Sequence, residues 1–218
     1  MSRPGFFLVL EGPEGAGKST LGAALAARMR DLGLDPVLVR EPGGTPAAEH
    51  VRRAFLDPAS RFEPASELLY VTAARANLVH EVIRPALALG RIVISDRFDL
   101  STMAYQGAGR GIERETVEFV NRVATGGLVP DMTLVLDLPA RVGRARQAAA
   151  GKTQDRMEQE DPAFHDRVSA AYLEAAGPGM YHLDADRPAP EVLETAWARL
   201  VSERPETFGV NRTGIAAR

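Results

Sequence analysis

Five short runs of apolar residues divide the chain and predict β-strands at residues 6–10, 36–39, 91–95, 132–138 and 180–183. The first four runs are rich in Val, Ile and Leu, and they do not alternate cleanly with polar residues. This pattern is typical of parallel strands that are covered by helices on both faces. The runs therefore predict a parallel sheet, with ligands at the carboxyl ends of its strands.

Helical periodicity occurs between these runs. Residues 19–32 predict an amphipathic helix, and residues 64–89 predict one long helix or two, because Pro85 forces a kink or a break. Residues 189–202 place Trp197 on an apolar stripe, which favours a core position. The alternation predicts a doubly wound three-layer α/β sandwich, although the order of the strands does not follow from it. We expect a single domain over residues 1–203 and a loosely held tail over residues 204–218.

Composition narrows the class of protein. The 218 residues are 45% hydrophobic, which suits one substantial core, and the formal charge of −3 argues against a broad nucleic-acid-binding surface. The absence of cysteine removes disulfides and thiolate metal ligands, and it suits a reducing compartment. The chain has neither a cleavable signal pattern nor an apolar run of membrane-spanning length. We therefore expect a cytoplasmic protein that binds neither nucleic acid nor membrane.

The most informative motif is GPEGAGKS at residues 12–19, between the first predicted strand and the first predicted helix. Glycines in such a loop let backbone N–H groups turn onto phosphate oxygens, Lys18 reaches the β- and γ-phosphates, and Ser19 offers its hydroxyl to Mg²⁺. The motif predicts a nucleoside-triphosphate site. Its residues are Gly12, Pro13, Glu14, Gly15, Ala16, Gly17, Lys18, Ser19 and Thr20.

Further motifs restrict the reaction. REPGGT occupies residues 40–45, DRFDLSTMAYQG occupies residues 96–107, and GRGI and DRME follow at residues 109–112 and 155–158. Together with the phosphate loop and in this order, they resemble the thymidylate kinase family over nearly the whole chain. The resemblance implies a P-loop NTPase fold with a five-stranded parallel sheet, an arginine-bearing lid near residues 141–160, Mg²⁺, and a homodimer. The implied reaction transfers the γ-phosphoryl group of ATP to dTMP and yields dTDP and ADP.

Charged residues at the predicted strand ends fit this chemistry. Phosphoryl transfer needs cations that hold donor and acceptor in line, and a monophosphate with a second pKa of about 6 needs no general base. Asp96 can orient Mg²⁺, and Arg97 can bind the acceptor phosphate. The resemblance places Glu14 near the acceptor 3′-hydroxyl and Mg²⁺. It also places Arg75 at the base or phosphate.

The lid supplies the remaining cations in this interpretation. Arg156 would stabilise the transition-state charge, together with Arg144, Arg146 and Lys152, since the phosphate loop carries no arginine at Ala16. Arg144 is also predicted to contact ATP. The resemblance implies further acceptor contacts from Glu41, Pro42, Gly43, Val71, Ser101, Thr102, Tyr105 and Gln106. In the family, an aromatic residue that stacks on thymine often stands where this chain has Val71.

Two alternatives remain at this point. A kinase for another deoxynucleotide or nucleoside could use the same scaffold, because Val71 replaces the stacking aromatic. A GTP-dependent switch would normally carry an N/T-K-x-D motif, and none occurs, since the only lysines are Lys18 and Lys152. Gly107 and Gly109 do not form a dinucleotide-binding motif, because they do not directly follow a predicted strand.

Overall fold

The computed structural model describes residues 5–149, 151 and 154–209. Five strands form one parallel sheet in the order β2-β3-β1-β4-β5. The strands are β1 Phe6–Glu11, β2 Val37–Arg40, β3 Ile92–Asp96, β4 Met132–Asp137 and β5 Met180–Asp184. The predicted α/β class, the parallel sheet and all five strands are confirmed.

Helices cover both faces of the sheet. They are α1 Lys18–Asp31, α2 Pro46–Leu56, α3 Pro64–Leu78, α4 Arg84–Ala88, α5 Asp99–Thr102, α6 Arg114–Thr125, α7 Ala140–Ala149, α8 Pro162–Leu173, α9 Ala189–Glu203 and α10 Pro205–Phe208. Two π-helical segments, Val79–Ile83 and Met103–Gly109, follow α3 and α5 directly. Among the described residues, no helix is both long and apolar enough to span a bilayer.

The helical run over residues 64–88 shows how the chain accommodates Pro85. An α-helical turn before a proline would press its ring against the carbonyl four residues earlier. Here the preceding turn is the π-helical segment Val79–Ile83, whose wider backbone gives the ring room. The predicted break is therefore a π-helical turn inside one continuous helical run.

The central strand β1 divides the core into two layers. Successive side chains of a strand point to opposite faces. Leu8 and Leu10 pack into the cluster that contains residues of α1 and α9, and Phe7 and Val9 pack into the cluster on the opposite face. The sheet is thus buried on both sides, as the continuous apolar runs predicted.

Pairing within the sheet brings two distant motifs together. Leu10 of β1 is in register with Asp96 of β3, and the backbone N–H of Arg97 donates to the Leu10 carbonyl at 2.9 Å. The phosphate loop follows β1, and Asp96 and Arg97 end β3. Both therefore lie at the same edge of the sheet, where the predicted ligand site should form.

The predicted tail differs from the structure in its first residues. Residues 205–208 form α10, and the Phe208 side chain is fully buried. Its ring packs edge-on against Phe6 at 5.4 Å and against Trp197 at 5.8 Å between centroids. A single aromatic residue without helical periodicity does not predict a helix. In the structure, however, the buried Phe208 side chain anchors the C-terminal segment up to residue 209. Residues 210–218 lie outside the described part of the chain.

Phe208→Ala should destabilise the protein strongly, because it removes a fully buried ring. The expected loss is about 3–5 kcal/mol, which corresponds to a fall in Tm of at least roughly 6 °C for a chain of this size. Differential scanning calorimetry measures it. Leu89→Ala is the control, since Leu89 is 75% exposed. Equal Tm shifts in the two variants would show that α10 does not hold the C-terminal end of the domain.

Candidate active site

A cleft of about 580 Å³ opens at the carboxyl ends of β1, β2 and β3. The predicted site residues that line it are Glu14, Gly15, Gly17, Lys18, Ser19, Thr20, Glu41, Pro42, Val71, Arg75, Asp96, Arg97, Ser101, Thr102, Tyr105, Gln106 and Arg146. Gly12, Pro13, Ala16, Gly43, Arg144 and Arg156 are predicted site residues that lie outside this lining. Lys152 lies outside the described residues.

The phosphate loop has the backbone that its glycines predict. Gly12, Gly15 and Gly17 have φ values of 137°, 76° and 90°, which side-chain-bearing residues rarely adopt. Ala16 is buried against the apolar core instead of lining the cleft. Gly12 and Pro13 contribute their carbonyl groups, which accept hydrogen bonds from Lys18 Nζ at 2.9 and 2.7 Å.

Lys18 is therefore buried, and the hydrogen-bond partners of its ammonium group are neutral carbonyl oxygens. Burial and the charge of Arg97 lower the pKa of Lys18 to about 8, although Glu14 and Asp96 oppose the shift. An anion in the loop would favour the charged ammonium group, so Lys18 is poised to bind phosphate.

Ser19 and Asp96 form the predicted metal pair. The Ser19 hydroxyl donates to Asp96 Oδ2 at 2.5 Å, at the junction of the phosphate loop and β3. A hydroxyl and a carboxylate are oxygen donors of the kind that Mg²⁺ prefers, and Mg²⁺ usually keeps water and substrate ligands as well. The pair therefore fits a magnesium ion that is held by few protein groups. Among the described residues, no cluster of three or more His, Asp or Glu side chains forms a metal cage.

Glu14 was also predicted as a metal ligand, but its carboxylate is bonded elsewhere in the structure. Glu14 Oε1 accepts from Arg97 Nη2 and, at 3.4 Å, from the Tyr105 hydroxyl. Although burial opposes ionisation, the charges of Arg97 and Lys18 lower the pKa of Glu14 to about 2. Glu14 is thus the counter-ion of Arg97 in this arrangement.

Arg97 lies at the centre of a ring of oxygen atoms. Its φ of 78° is unusual for a residue with a side chain, and its guanidinium lies within hydrogen-bonding distance of the phosphate loop. Besides Glu14, Arg97 donates to the Ser101 and Tyr172 hydroxyls at 3.1 and 3.0 Å and to the Gly12 carbonyl at 3.3 Å. The predicted anion-binding arginine is therefore beside the predicted triphosphate loop.

Glu11 organises this ring from beneath. It is fully buried, and its Oε1 accepts from the backbone N–H groups of Phe98 and Ser101 at 2.7 and 3.0 Å. Its Oε2 accepts from the Ser101 hydroxyl at 2.7 Å and from the Tyr172 hydroxyl at 3.1 Å. Burial raises the pKa of Glu11. No local sequence pattern indicates a role for Glu11 or Tyr172, since their partners lie more than 70 residues away along the chain.

Arg75 forms the back wall of the cleft. Its Nε donates to Glu41 at 2.6 Å, and Nη1 donates to Thr102 and Asn121, both at 2.6 Å. Nη2 donates to the Phe98 carbonyl at 2.8 Å. Burial raises the pKa of Glu41 to about 7, against the lowering effect of Arg75. These four hydrogen bonds hold the planar guanidinium of Arg75 in one orientation.

The remaining walls combine apolar and polar side chains. Val71, Phe55, Leu56 and Met157 line one side, and Gln106 lies nearby. Tyr70 packs against Phe62 with ring centroids 5.0 Å apart, so it does not replace the missing aromatic. Arg40 and Arg52, which were not among the predicted site residues, also line the cleft.

The predicted lid arginines separate into two groups. Arg146 lines the cleft and donates to the Ala185 carbonyl at 3.0 Å and to the Gly15 carbonyl at 3.4 Å. It reaches the loop because α7 sits directly on it: a Cβ at Gly143 would lie 2.3 Å from the Glu14 carbonyl oxygen.

Arg144 and Arg156 were predicted to contact the nucleotide, and neither of them lines the cleft in this structure. Arg144 lies 3.7 Å from Asp166 of α8. Arg156 is buried behind the cleft, where its Nη1 donates to Glu67 at 2.7 Å and its Nε donates to the Phe55 carbonyl at 2.8 Å. Helical spacing and charge alone could not show that these side chains turn towards neighbouring elements.

Comparison with known proteins agrees with this geometry. The sequence profile of the family described as thymidylate kinase matches residues 10–196. The chain belongs to the thymidylate kinase family. It is 54% identical over 182 residues to a thymidylate kinase of Pseudomonas putida (strain GB-1), covering 82% of this chain and 86% of the relative.

More distant relatives extend the similarity over more of the chain. A thymidylate kinase of Deinococcus radiodurans is 47% identical over 203 residues, covering 92% of this chain and 98% of that protein. The crystal structure of thymidylate kinase from Ehrlichia chaffeensis superposes with a TM-score of 0.72 at 29% identity. The superposition covers 90% of this chain and 99% of the Ehrlichia chaffeensis chain. The similarity thus includes both the phosphate loop and the strand-end motifs.

The lowered pKa of Lys18 predicts proton uptake when ADP binds. With a pKa of about 8, roughly three quarters of Lys18 is neutral at pH 8.5, and bound phosphates restore its charge. Binding should therefore take up ~0.7 proton at pH 8.5 and only ~0.1 at pH 7. Isothermal titration calorimetry in two buffers of different ionisation enthalpy measures this number. An uptake that is equal at the two pH values would rule out Lys18 as the group that titrates.

Proposed function

We propose that this member of the thymidylate kinase family transfers the γ-phosphoryl group of ATP to dTMP, yielding dTDP and ADP. The observation that carries the proposal is the position of Arg97 beside the phosphate loop. Two anion-binding centres, the loop with Lys18 and the ring around Arg97, share one cleft. A single nucleotide would need only the first centre, whereas a phosphate donor and a phosphate acceptor need both.

On the donor side, loop N–H groups and Lys18 would hold the β- and γ-phosphates of ATP. Arg146 lies where it can contact the same nucleotide, because it donates to the carbonyl groups of Gly15 and Ala185 at the cleft edge. Ser19 and Asp96 would hold Mg²⁺, which supplies charge neutralisation to the phosphates when it is bound. Every one of these groups acts by position and charge, which is what phosphoryl transfer requires.

On the acceptor side, Arg97 would bind the dTMP phosphate. Its present partner Glu14 is only partly buried, with 34% of the side chain exposed, so the carboxylate can turn away when a phosphate dianion arrives. After this exchange, Glu14 would lie near the sugar hydroxyl and Mg²⁺. Arg52 donates to the Pro42 carbonyl at 2.8 Å and adds a second cation to this end of the cleft.

The base would lie between the apolar wall at Val71 and the polar edge of Arg75, Thr102 and Gln106. Tyr105 packs under Arg97, with the guanidinium carbon 5.0 Å from its ring centroid. This position suits a side chain that excludes a ribose 2′-hydroxyl. Pro42 and Glu41 close the opposite side.

We also infer that the protein acts as a homodimer. The packed helices α3 and α6 carry large apolar side chains that are more than half exposed, Leu69 on α3 and Phe119 and Val123 on α6. Isolated exposed apolar residues are common, but two adjacent helices that both carry them suit an interface. Phe119→Glu should convert the dimer to a monomer in sedimentation velocity experiments, whereas Leu173→Glu, at an exposed position on α8, should not. A wild-type monomer would contradict the inference.

Acceptor profiling tests the reaction itself. ADP release from ATP and Mg²⁺ should be fastest with dTMP, when dTMP, dUMP, dCMP, dGMP, dAMP, UMP and thymidine are supplied separately. The missing methyl group of dUMP should lower kcat/KM by roughly 10- to 100-fold. The Lys18→Ala variant should lose turnover with every acceptor. Removal of Mg²⁺ by EDTA should likewise abolish turnover by the wild-type protein. ADP release that is independent of the acceptor would contradict a kinase, and a preference for another nucleotide would reassign the substrate.

A further inference from the structure

A fully buried carboxylate lies behind the acceptor side of the cleft. Glu67, in the first turn of α3, is 0% exposed and accepts hydrogen bonds from three side chains. Gln106 Nε2 donates at 2.8 Å, Arg110 donates from Nε at 3.1 Å and from Nη2 at 2.9 Å, and Arg156 Nη1 donates at 2.7 Å. Although burial opposes ionisation, these donors lower the pKa of Glu67. Both oxygens of the Glu67 carboxylate are thus paired with hydrogen-bond donors.

Arg156 is held in this place by more than one contact. Its guanidinium packs against the rings of both Phe55 and Phe62, with distances of 4.7 and 4.9 Å from its carbon to the two centroids. Its backbone N–H also donates to the Leu56 carbonyl at 3.0 Å. Within the described part of the chain, Glu67 is the only carboxylate that pairs with Arg156, so losing it would leave a buried guanidinium uncompensated, which is strongly unfavourable. Glu67 therefore fixes Arg156, and Arg156 fixes the chain around it.

The partners of Glu67 reach the cleft from two sides. Gln106, on the π-helical segment Met103–Gly109, lines the cleft. Asp155 and Met157, which flank Arg156 in sequence, line it as well. Arg110 extends the network, because it also donates to Glu160 at 2.5 Å. One carboxylate thus joins α3, the π-helical segment and residues 155–160, none of which is adjacent to another in the chain.

We propose that Glu67 is a positioning residue for the acceptor nucleotide: it holds Gln106 at the cleft and, through Arg156, holds residues 155–158 as the facing wall. The proposal rests on the proposed function, and it gives Arg156 a role in arranging the pocket instead of contacting the transferred phosphoryl group. Among the described residues, no other side chain is hydrogen-bonded to Gln106, Arg110 and Arg156 together.

Glu67→Gln tests the proposal with Glu63→Gln as its matched control. Glu63 precedes α3 by one residue and its side chain is exposed, so the same chemical change there should leave the kinetics unaltered. Glu67→Gln should raise the KM for dTMP about tenfold and change the KM for ATP less than about twofold. Equal rises in both KM values, or no rise for dTMP, would overturn the proposal. Glu67→Asp keeps the charge but shortens the reach, and it should show the same selective effect if Glu67→Gln does not fold.

A double-mutant cycle tests whether Arg156 acts through Glu67. If it does, the kcat/KM for dTMP of Glu67→Gln/Arg156→Met should be close to that of the more impaired single variant, because the second change removes a partner that is already displaced. A role at the transition state gives a different result. Arg156→Met would then lower kcat with KM unchanged, and its effect would multiply with that of Glu67→Gln, which would overturn the proposal.

Hydrogen exchange supplies a readout that does not depend on the reaction. Glu67→Gln should speed amide exchange in residues 103–110 and 154–160 and leave α1 unchanged. Unchanged exchange in both segments would overturn the proposal even if the protein phosphorylates dTMP. If wild-type protein did not phosphorylate dTMP, the proposed function would fail by itself, whereas this exchange pattern would still report whether Glu67 holds the two walls.

Discussion

The backbone pairing of β1 with β3 is the constraint on which the site depends. Parallel register sets Leu10 opposite Asp96, and the Arg97 N–H completes the pairing on the Leu10 carbonyl. Two segments whose paired residues Leu10 and Asp96 lie 86 positions apart in the chain are thereby fixed within hydrogen-bonding distance. The phosphate loop could form from local sequence alone, but an acceptor site beside it requires this sheet edge.

The cationic side chains of the site differ in the groups that compensate their charges. This difference distinguishes the side chains that can bind substrate from those that stabilise the fold. Lys18 rests on carbonyl oxygens, and Arg97 is paired with Glu14, whose side chain is one third exposed. A phosphate group could replace either set of partners without leaving a fully buried carboxylate unpaired. Arg75 and Arg156 are paired with carboxylates that are almost completely buried, and displacing these guanidinium groups would leave a buried charge uncompensated. The partner's exposure, more than the arginine itself, therefore indicates the role.

This distinction explains which parts of the site could be predicted. Strands, the phosphate loop, Lys18 and Arg97 follow from local patterns, because strand ends in a parallel sheet face a common edge. The positions of Arg156, Glu11 and Glu67 depend on contacts between residues that lie up to 161 positions apart in the chain, and one sequence carries no local signal for such contacts. The buried position of Phe208 could not be predicted for the same reason. Periodicity identifies the face of a long helix, but it cannot detect one aromatic side chain that enters a core assembled elsewhere.

The replacement of the stacking aromatic by Val71 also has a physical consequence for base selection. Apolar walls discriminate weakly between bases of similar shape, whereas buried donors and acceptors that would be left unpaired discriminate strongly. Here Arg75 and Gln106 are held by buried carboxylates, so their hydrogen-bonding groups cannot turn to suit a different base edge. Selectivity for thymine in this cleft is therefore expected to depend on the rigidity of the polar edge, which buried acids impose from behind the pocket.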